Sequence, residues 1–168
     1  KRQAEMRVQF LGGLVEYGLY PSPGPLVQEL DYELFEHGDR YTSLLYTIYE
    51  YTGGAHGNTV FHTFIFDHFE QRALDLENLF ADTTAALEVI APLVQTDLHA
   101  QMGEMADAAW IAAGAGPDPE NYRNVVLTPD ALVFYFPPYQ VAAYAAGPFT
   151  VALPLADVAG LLAISLAE

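Results

Sequence analysis

YTSLLYTIYEYTGGAHGNTVFHTFIFD, residues 41–67, is the stretch on which the fold turns. Residues 41–51 are dense in Tyr, Thr, Leu and Ile and hold no glycine or proline, the composition of a pleated, half-buried strand. Residues 59–67, TVFHTFIFD, repeat that composition, and the glycine-rich YTGGAHGN between them is turn chemistry. The pair predicts two antiparallel strands joined by a loop. In the second strand His62, Phe64 and Phe66 share one face, and Phe61, Thr63 and Ile65 the other. Large side chains on both sides predict that both faces are at least half covered.

Outward from this pair, residues 30–36 predict another strand, closed by the turn signal His37-Gly38-Asp39. Residues 1–19 read as a helix end followed by a short strand, and PSPGP (21–25) as punctuation, since three prolines in five residues forbid a helix interior and a central strand. Downstream, a turn leads to a short strand over Arg72 to Leu74, and Asp75 is placed to cap a one-turn helix through Phe80. Leu87, Ile90, Leu93, Val94 and Leu98 recur at helical spacing and predict the main helix over 83–105, with Thr83 or Thr84 as its cap and Pro92 as a kink or an early boundary. Residues 113–121 are a loop. NVVLTPDALVFYFPPY predicts a hairpin turning at Pro129-Asp130, with 131–136 as a buried strand. PPYQVAAYAAGP (137–148) is a compact turn or single helical turn, and the chain closes as a strand and a helix starting at Pro154. The fold class is therefore α+β, a mostly antiparallel sheet packed against one long helix and a C-terminal helix. Hairpins on both sides of the helix argue against a TIM barrel or a Rossmann fold.

At 168 residues with 52% apolar side chains, the chain can bury a core without covalent staples. Six basic residues against 22 acidic ones give a formal charge of −16, and Lys1 is the only lysine. Phosphate binding needs a basic face that six scattered cations cannot build, which excludes a nucleic-acid role; a charged partner is expected to be cationic. Acidity also serves plain solubility. The absence of cysteine removes disulfides, a thiol nucleophile and Cys-ligated zinc. No apolar run approaches a membrane span, so a membrane is expected only through an anchor outside this chain. The opening on Lys1 suggests a trimmed sequence.

His56, His62 and His68 are the residues in which a metal site could be sought. His62 and His68 share a strand face but stand about 20 Å apart along an extended chain, and no HExxH spacing occurs, so no metal and no cofactor is expected. Of the serines, Ser22, Ser43 and Ser165, none sits in a GxSxG elbow. With 22 acids, no single carboxylate pair stands out for glycoside hydrolysis. The aromatic loops say more: Tyr51 and His56 in YTGGAHG, and Tyr139 and Tyr144 in FPPYQVAAYAAGP, offer amphipathic rings suited to protein or sugar surfaces. Two other readings stand beside binding. His56 with an acidic neighbour suits general acid/base work in a hydrolase. Alternatively His56 caps a backbone carbonyl and the glycine and proline motifs only shape a curved sheet.

YEYTGGAHGNT, FIFD, LENLF, LVFYFPPYQVAAYAAGP and VALPLADV, in that order, resemble the extracytoplasmic domain shared by RsiV-like anti-sigma factors and the accessory module of PdaC-like peptidoglycan deacetylases. The resemblance covers residues 41–162, about three-quarters of the chain, with 1–40 similar to the variable N-terminal half of the same unit. It implies one globular unit made of 1–40 and 41–168. It also implies a non-catalytic binding or sensing module of the cell envelope, outside the cytoplasm and anchored or lipidated in full length, that recognises a lysozyme-like cationic protein or peptidoglycan fragments. One departure stands out. Glu70-Gln71 occupies the place of the family's Thr-Gly, which leaves the type of that turn open.

Overall fold

The computed structural model of the chain describes Glu5, Val8 and residues 25–166. The strand expected within residues 1–19 and most of the proline punctuation lie outside the described residues. Four strands, β1 (Val27–His37), β2 (Tyr41–Tyr51), β3 (Asn58–Asp67) and β4 (Arg72–Leu74), form one antiparallel sheet in chain order. Helices α1 (Leu76–Leu79), α2 (Thr83–Met102) and α3 (Ala108–Gly114) follow. A second antiparallel sheet, β5 (Val125–Leu127), β6 (Ala131–Phe136) and β7 (Phe149–Pro154), precedes the single turn α4 (Leu155–Val158). The architecture is α+β, as the sequence pattern predicts, with the strands divided between two sheets.

β1 is longer than its alternation suggests, because all eleven of its residues pair with β2, from Val27 opposite Tyr51 to His37 opposite Tyr41. Gly38, at φ 54°, makes the turn between them. The two faces of the first sheet differ. Tyr41, Ser43, Leu45, Phe61 and Ile65 are buried, whereas Phe64 and Phe66 on the other face are 39% and 37% exposed. Both faces are thus at least half covered, as the sequence predicts, but unequally: α2 and the second sheet pack on the inner face, while on the outer one Ile48 is buried and Phe64 and Phe66 stay partly open. The outer aromatics cover one another instead, with Tyr46 edge-on to Phe64 at 6.3 Å.

The second sheet is covered on both sides. Leu127, Leu132, Phe134, Phe136, Val151 and Leu153 join Leu87, Ile90, Val94 and Leu98 of α2 in the main core. On the opposite face Val126 and Val133 pack against Leu45 and Phe61 of the first sheet. Asp82, not Thr83 or Thr84, caps α2, its side chain accepting from the Ala85 N–H at 3.0 Å. Pro92 is not a boundary, since the helix runs through it to Met102. Its ring is on the exposed side, and the buried row from Leu87 to Leu98 holds the helix across the missing N–H. Leu93, counted in the apolar stripe, points outward.

Two hydroxyls join the sheets. β5 bonds to β6 through Asn124, which accepts from the Tyr135 N–H, and Thr128, which donates to the Ala131 carbonyl. Antiparallel pairing alternates, so Val125 and Leu127 turn their backbone groups away from β6. Ser43 of β2 meets Leu127: its hydroxyl donates to the Leu127 carbonyl and accepts from the Leu127 N–H, both at 2.9 Å. Thr63 of β3 does the same one step along, donating to the Arg123 carbonyl at 3.3 Å and accepting from the Val125 N–H at 3.0 Å. Without them the edge of β5 would be buried and unsatisfied.

At the far end of the hairpin, Arg40 clasps buried Asp67, Nη2 donating to Oδ2 at 2.8 Å. The Arg40 hydrogen bonds hold the Asp67 carboxyl below its ordinary pKa against the effect of burial, helped by the Glu70 and Phe69 N–H groups. In the turn whose type the sequence leaves open, Gln71 adopts φ 53°, the left-handed conformation a glycine takes without strain. Its side chain, bonded to the His68 carbonyl, offsets part of that strain.

Ser43→Ala leaves one donor and one acceptor of Leu127 buried without partners. It should lower unfolding free energy by about 2–4 kcal/mol, read by urea denaturation with an unchanged m-value.

Candidate functional site

The loop after β2 and the loop after β6 belong to different sheets and meet. Gly53 and Gly54, at φ 104° and 98°, carry the chain through a conformation closed to larger residues. The Tyr51 hydroxyl donates to the Gly54 carbonyl at 3.1 Å and ties the loop to its own strand. Gly57 passes so close to the Tyr49 ring that a Cβ there would strike the ring atoms. That close passage aims His56 at the second loop.

His56 stacks on Tyr144, the rings 3.7 Å apart and 17° from parallel. Tyr139 closes the group, its ring 6.3 Å from His56 and 5.5 Å from Tyr144. With the Nδ1–H tautomer, His56 donates to the Gly57 carbonyl at 2.8 Å and leaves Nε2 to accept from the Tyr139 hydroxyl at 3.4 Å. Of the four residues singled out in the sequence, the structure thus brings together His56, Tyr139 and Tyr144. Tyr51 supports the first loop through Gly54. His62 and His68 contribute nothing to this cluster, and no group of three or more His, Asp or Glu among the described residues is arranged to hold a metal ion.

Tyr139 is held under strain. Its φ of +73° is the left-handed region, which costs a bulky residue roughly 1–2 kcal/mol, and its side chain is 52% exposed. Bracing on both sides enforces it. The Trp110 indole N–H of α3 donates to the Tyr139 carbonyl at 3.0 Å, and the Gln140 amide donates to the Gly114 and Asn121 carbonyls at 2.8 and 2.9 Å. Gly114 is required at the end of α3, because a Cβ there would strike the Gln140 carbonyl oxygen. Strained, over-determined residues cluster where a side chain must be presented in one direction.

Trp110 is the residue that the sequence reading missed. Residues 106–112 carry no long apolar stripe, yet Asp107 accepts from the Ala109 and Trp110 N–H groups at 2.9 and 3.0 Å and starts a helix. An aspartate ahead of Ala-Ala-Trp-Ile was the available signal.

Fold and site together define an α+β domain that presents a preformed aromatic cluster across two sheets. Residues 77–156 match a family described as a protein of unknown function, DUF3298; that segment holds Trp110, Tyr139 and Tyr144 but not His56. The chain is 34% identical over 116 residues to the immunogenic protein MPT64 of Mycobacterium tuberculosis, covering 69% of this chain and 50% of that protein. It is 29% identical over 124 residues to the peptidoglycan-N-acetylmuramic acid deacetylase PdaC of Bacillus subtilis, covering 74% of this chain and 27% of that protein. The chain thus spans about half of the one relative and about a quarter of the other. A crystal structure of a DUF3298 family member from Bacteroides fragilis superposes with a TM-score of 0.68 at 22% identity, over 95% of this chain and 64% of that one, and shares the fold. No helix among the described residues is long and apolar enough to cross a membrane.

Tyr139→Gly should remove the backbone strain while deleting an exposed ring. Thermal unfolding should show it to be about as stable as the parent or up to ~1 kcal/mol more so. A loss of more than ~1 kcal/mol would mean that the ring is packing, not presentation.

Proposed function

We propose that this chain is a DUF3298-type binding or sensing module of the cell envelope, acting outside the cytoplasm, and that its recognition surface is the His56, Tyr139 and Tyr144 cluster. One observation carries the reading: rings from loops 83 residues apart in sequence converge, and one of them, the exposed Tyr139, is held in a strained backbone. Tyrosine on a rigid loop supplies large contact area at low entropic cost, the pattern of interface anchors. Residues 1–40 and 41–168 act as one unit in this reading, a view supported by the pairing of β1 with β2 along its whole length.

The net charge of −16 favours a cationic protein as ligand, lysozyme being the probe of choice. A second reading, a peptidoglycan glycan, is favoured by the flat His56 and Tyr144 stack and by the polymer named in the description of PdaC. The hydrolase alternative needs a carboxylate beside His56. The partners of that ring are a backbone carbonyl, a phenol and an aromatic face, which give it orientation rather than a proton relay.

Calorimetric titration with lysozyme at low and moderate salt tests the proposal, with peptidoglycan fragments in a parallel arm. Binding should weaken with salt, and the Tyr139→Ala and Tyr144→Ala pair should weaken it by about tenfold or more. No binding to lysozyme at either salt overturns the cationic-protein version, and no binding to fragments overturns the glycan version.

A further inference from the structure

Among the described residues β1 is an edge strand: β2 is its one strand partner there, and the row of backbone N–H and C=O groups on its other side has no described strand against it. At eleven residues it is long for an edge, which proteins usually keep short or guard. Its side chains divide sharply. Glu29, Asp31 and Glu33 share one face, all exposed. Leu30, Tyr32 and Leu34 share the other, with Tyr32 and Leu34 each 59% exposed. That apolar row continues across the sheet, Tyr32 lying 6.4 Å from Tyr46, which in turn meets Phe64.

An edge with no partner among the described residues admits an added strand, and the two rows of side chains decide which one. A second copy paired antiparallel about Asp31 would set Asp31 against itself and Glu29 against Glu33, which is repulsive. Residues 1–24 of this chain carry Lys1, Arg2 and Arg7 but also Glu5 and Glu16, and no alternating basic run. A basic, alternating segment satisfies both rows at once. We propose that β1 captures an extended segment of a basic polypeptide by strand addition. Lys or Arg at alternate positions would face Glu29, Asp31 and Glu33, and apolar or aromatic residues between them would extend the row of Tyr32 and Leu34. The inference deepens the reading given above and rests on it for the basic character of the partner. It adds a second surface and a rule for the partner's sequence.

The test uses the full chain and two labelled peptides of identical composition, one alternating Lys with Val and Tyr, the other with its lysines in one block. Fluorescence anisotropy should show the alternating peptide binding about tenfold more tightly or better, and hydrogen exchange should slow at amides within residues 27–37. The combined substitutions Glu29→Lys, Asp31→Lys and Glu33→Lys, all at exposed positions, should abolish that preference and create one for the matching Glu peptide. Equal binding of the two peptides, unchanged exchange in β1, or retained binding by the reversed variant overturns the proposal. So does a dimer of the free chain that dissociates in Tyr32→Lys, which would assign the edge to a second copy. Lysozyme binding lost with Tyr139→Ala but kept by the reversed variant would leave the aromatic site standing and this edge refuted. The opposite pattern would refute the aromatic site alone.

Discussion

Two side-chain hydroxyls, those of Ser43 and Thr63, carry the constraint on which the molecule depends. A three-residue strand such as β5, though all its side chains are apolar and buried, makes few ladder bonds of its own with which to fix its position. Its outward backbone groups are buried at the junction of the sheets, where leaving them unmet is costly. By offering a donor and an acceptor each, Ser43 and Thr63 do for β5 what a neighbouring strand would do, from the face of a sheet rather than from its edge. The register between the sheets follows, with Val126 and Val133 seated on Leu45 and Phe61. Apolar contact alone would tolerate sliding; directional bonds at two points do not.

That register builds the candidate site. His56 hangs from the first sheet and Tyr139 and Tyr144 from the second, so the 3.7 Å stack exists only if the sheets meet as they do. The support is asymmetric. The first loop is shaped by glycines and by the Tyr51 latch, whereas the second is clamped by Trp110 and Gln140 against α3. A strained Tyr139 on the clamped side and a permissive loop opposite suit a surface with one fixed wall and one adjustable wall.

Much of this was legible in the sequence, and what was not has physical causes. Tyr41 to Tyr51 reads as a strand because it is dense in Tyr, Thr and Ile, holds no glycine or proline, and is followed closely by Gly53 and Gly54. Asp75, Pro129-Asp130 and Pro154 mark boundaries through local chemistry, and local chemistry is what a sequence displays. The division into two sheets is not local: each hairpin is visible, but the assembly of hairpins is decided by contacts such as Ser43 with Leu127, and a serine in a strand looks like an ordinary polar position. α3 escaped because its helix is two turns of mostly small residues, held by the Asp107 cap and by tertiary contact rather than by an apolar stripe. Ring chemistry in two motifs marks Tyr51, His56, Tyr139 and Tyr144 in the sequence. That three of them touch could not be read from positions 83 residues apart.

The hydroxyl stitches set the register, and the register makes the aromatic cluster. Proton NMR of the His56 ring tests it most directly, since a ring stacked on Tyr144 feels its ring current. In the parent chain the His56 carbon-bound protons should resonate well upfield of a free histidine. In a folded Ser43→Ala and Thr63→Val double variant they should move back toward the free position. Unchanged upfield shifts in a folded double variant would contradict the account and show that apolar packing alone fixes the sheets.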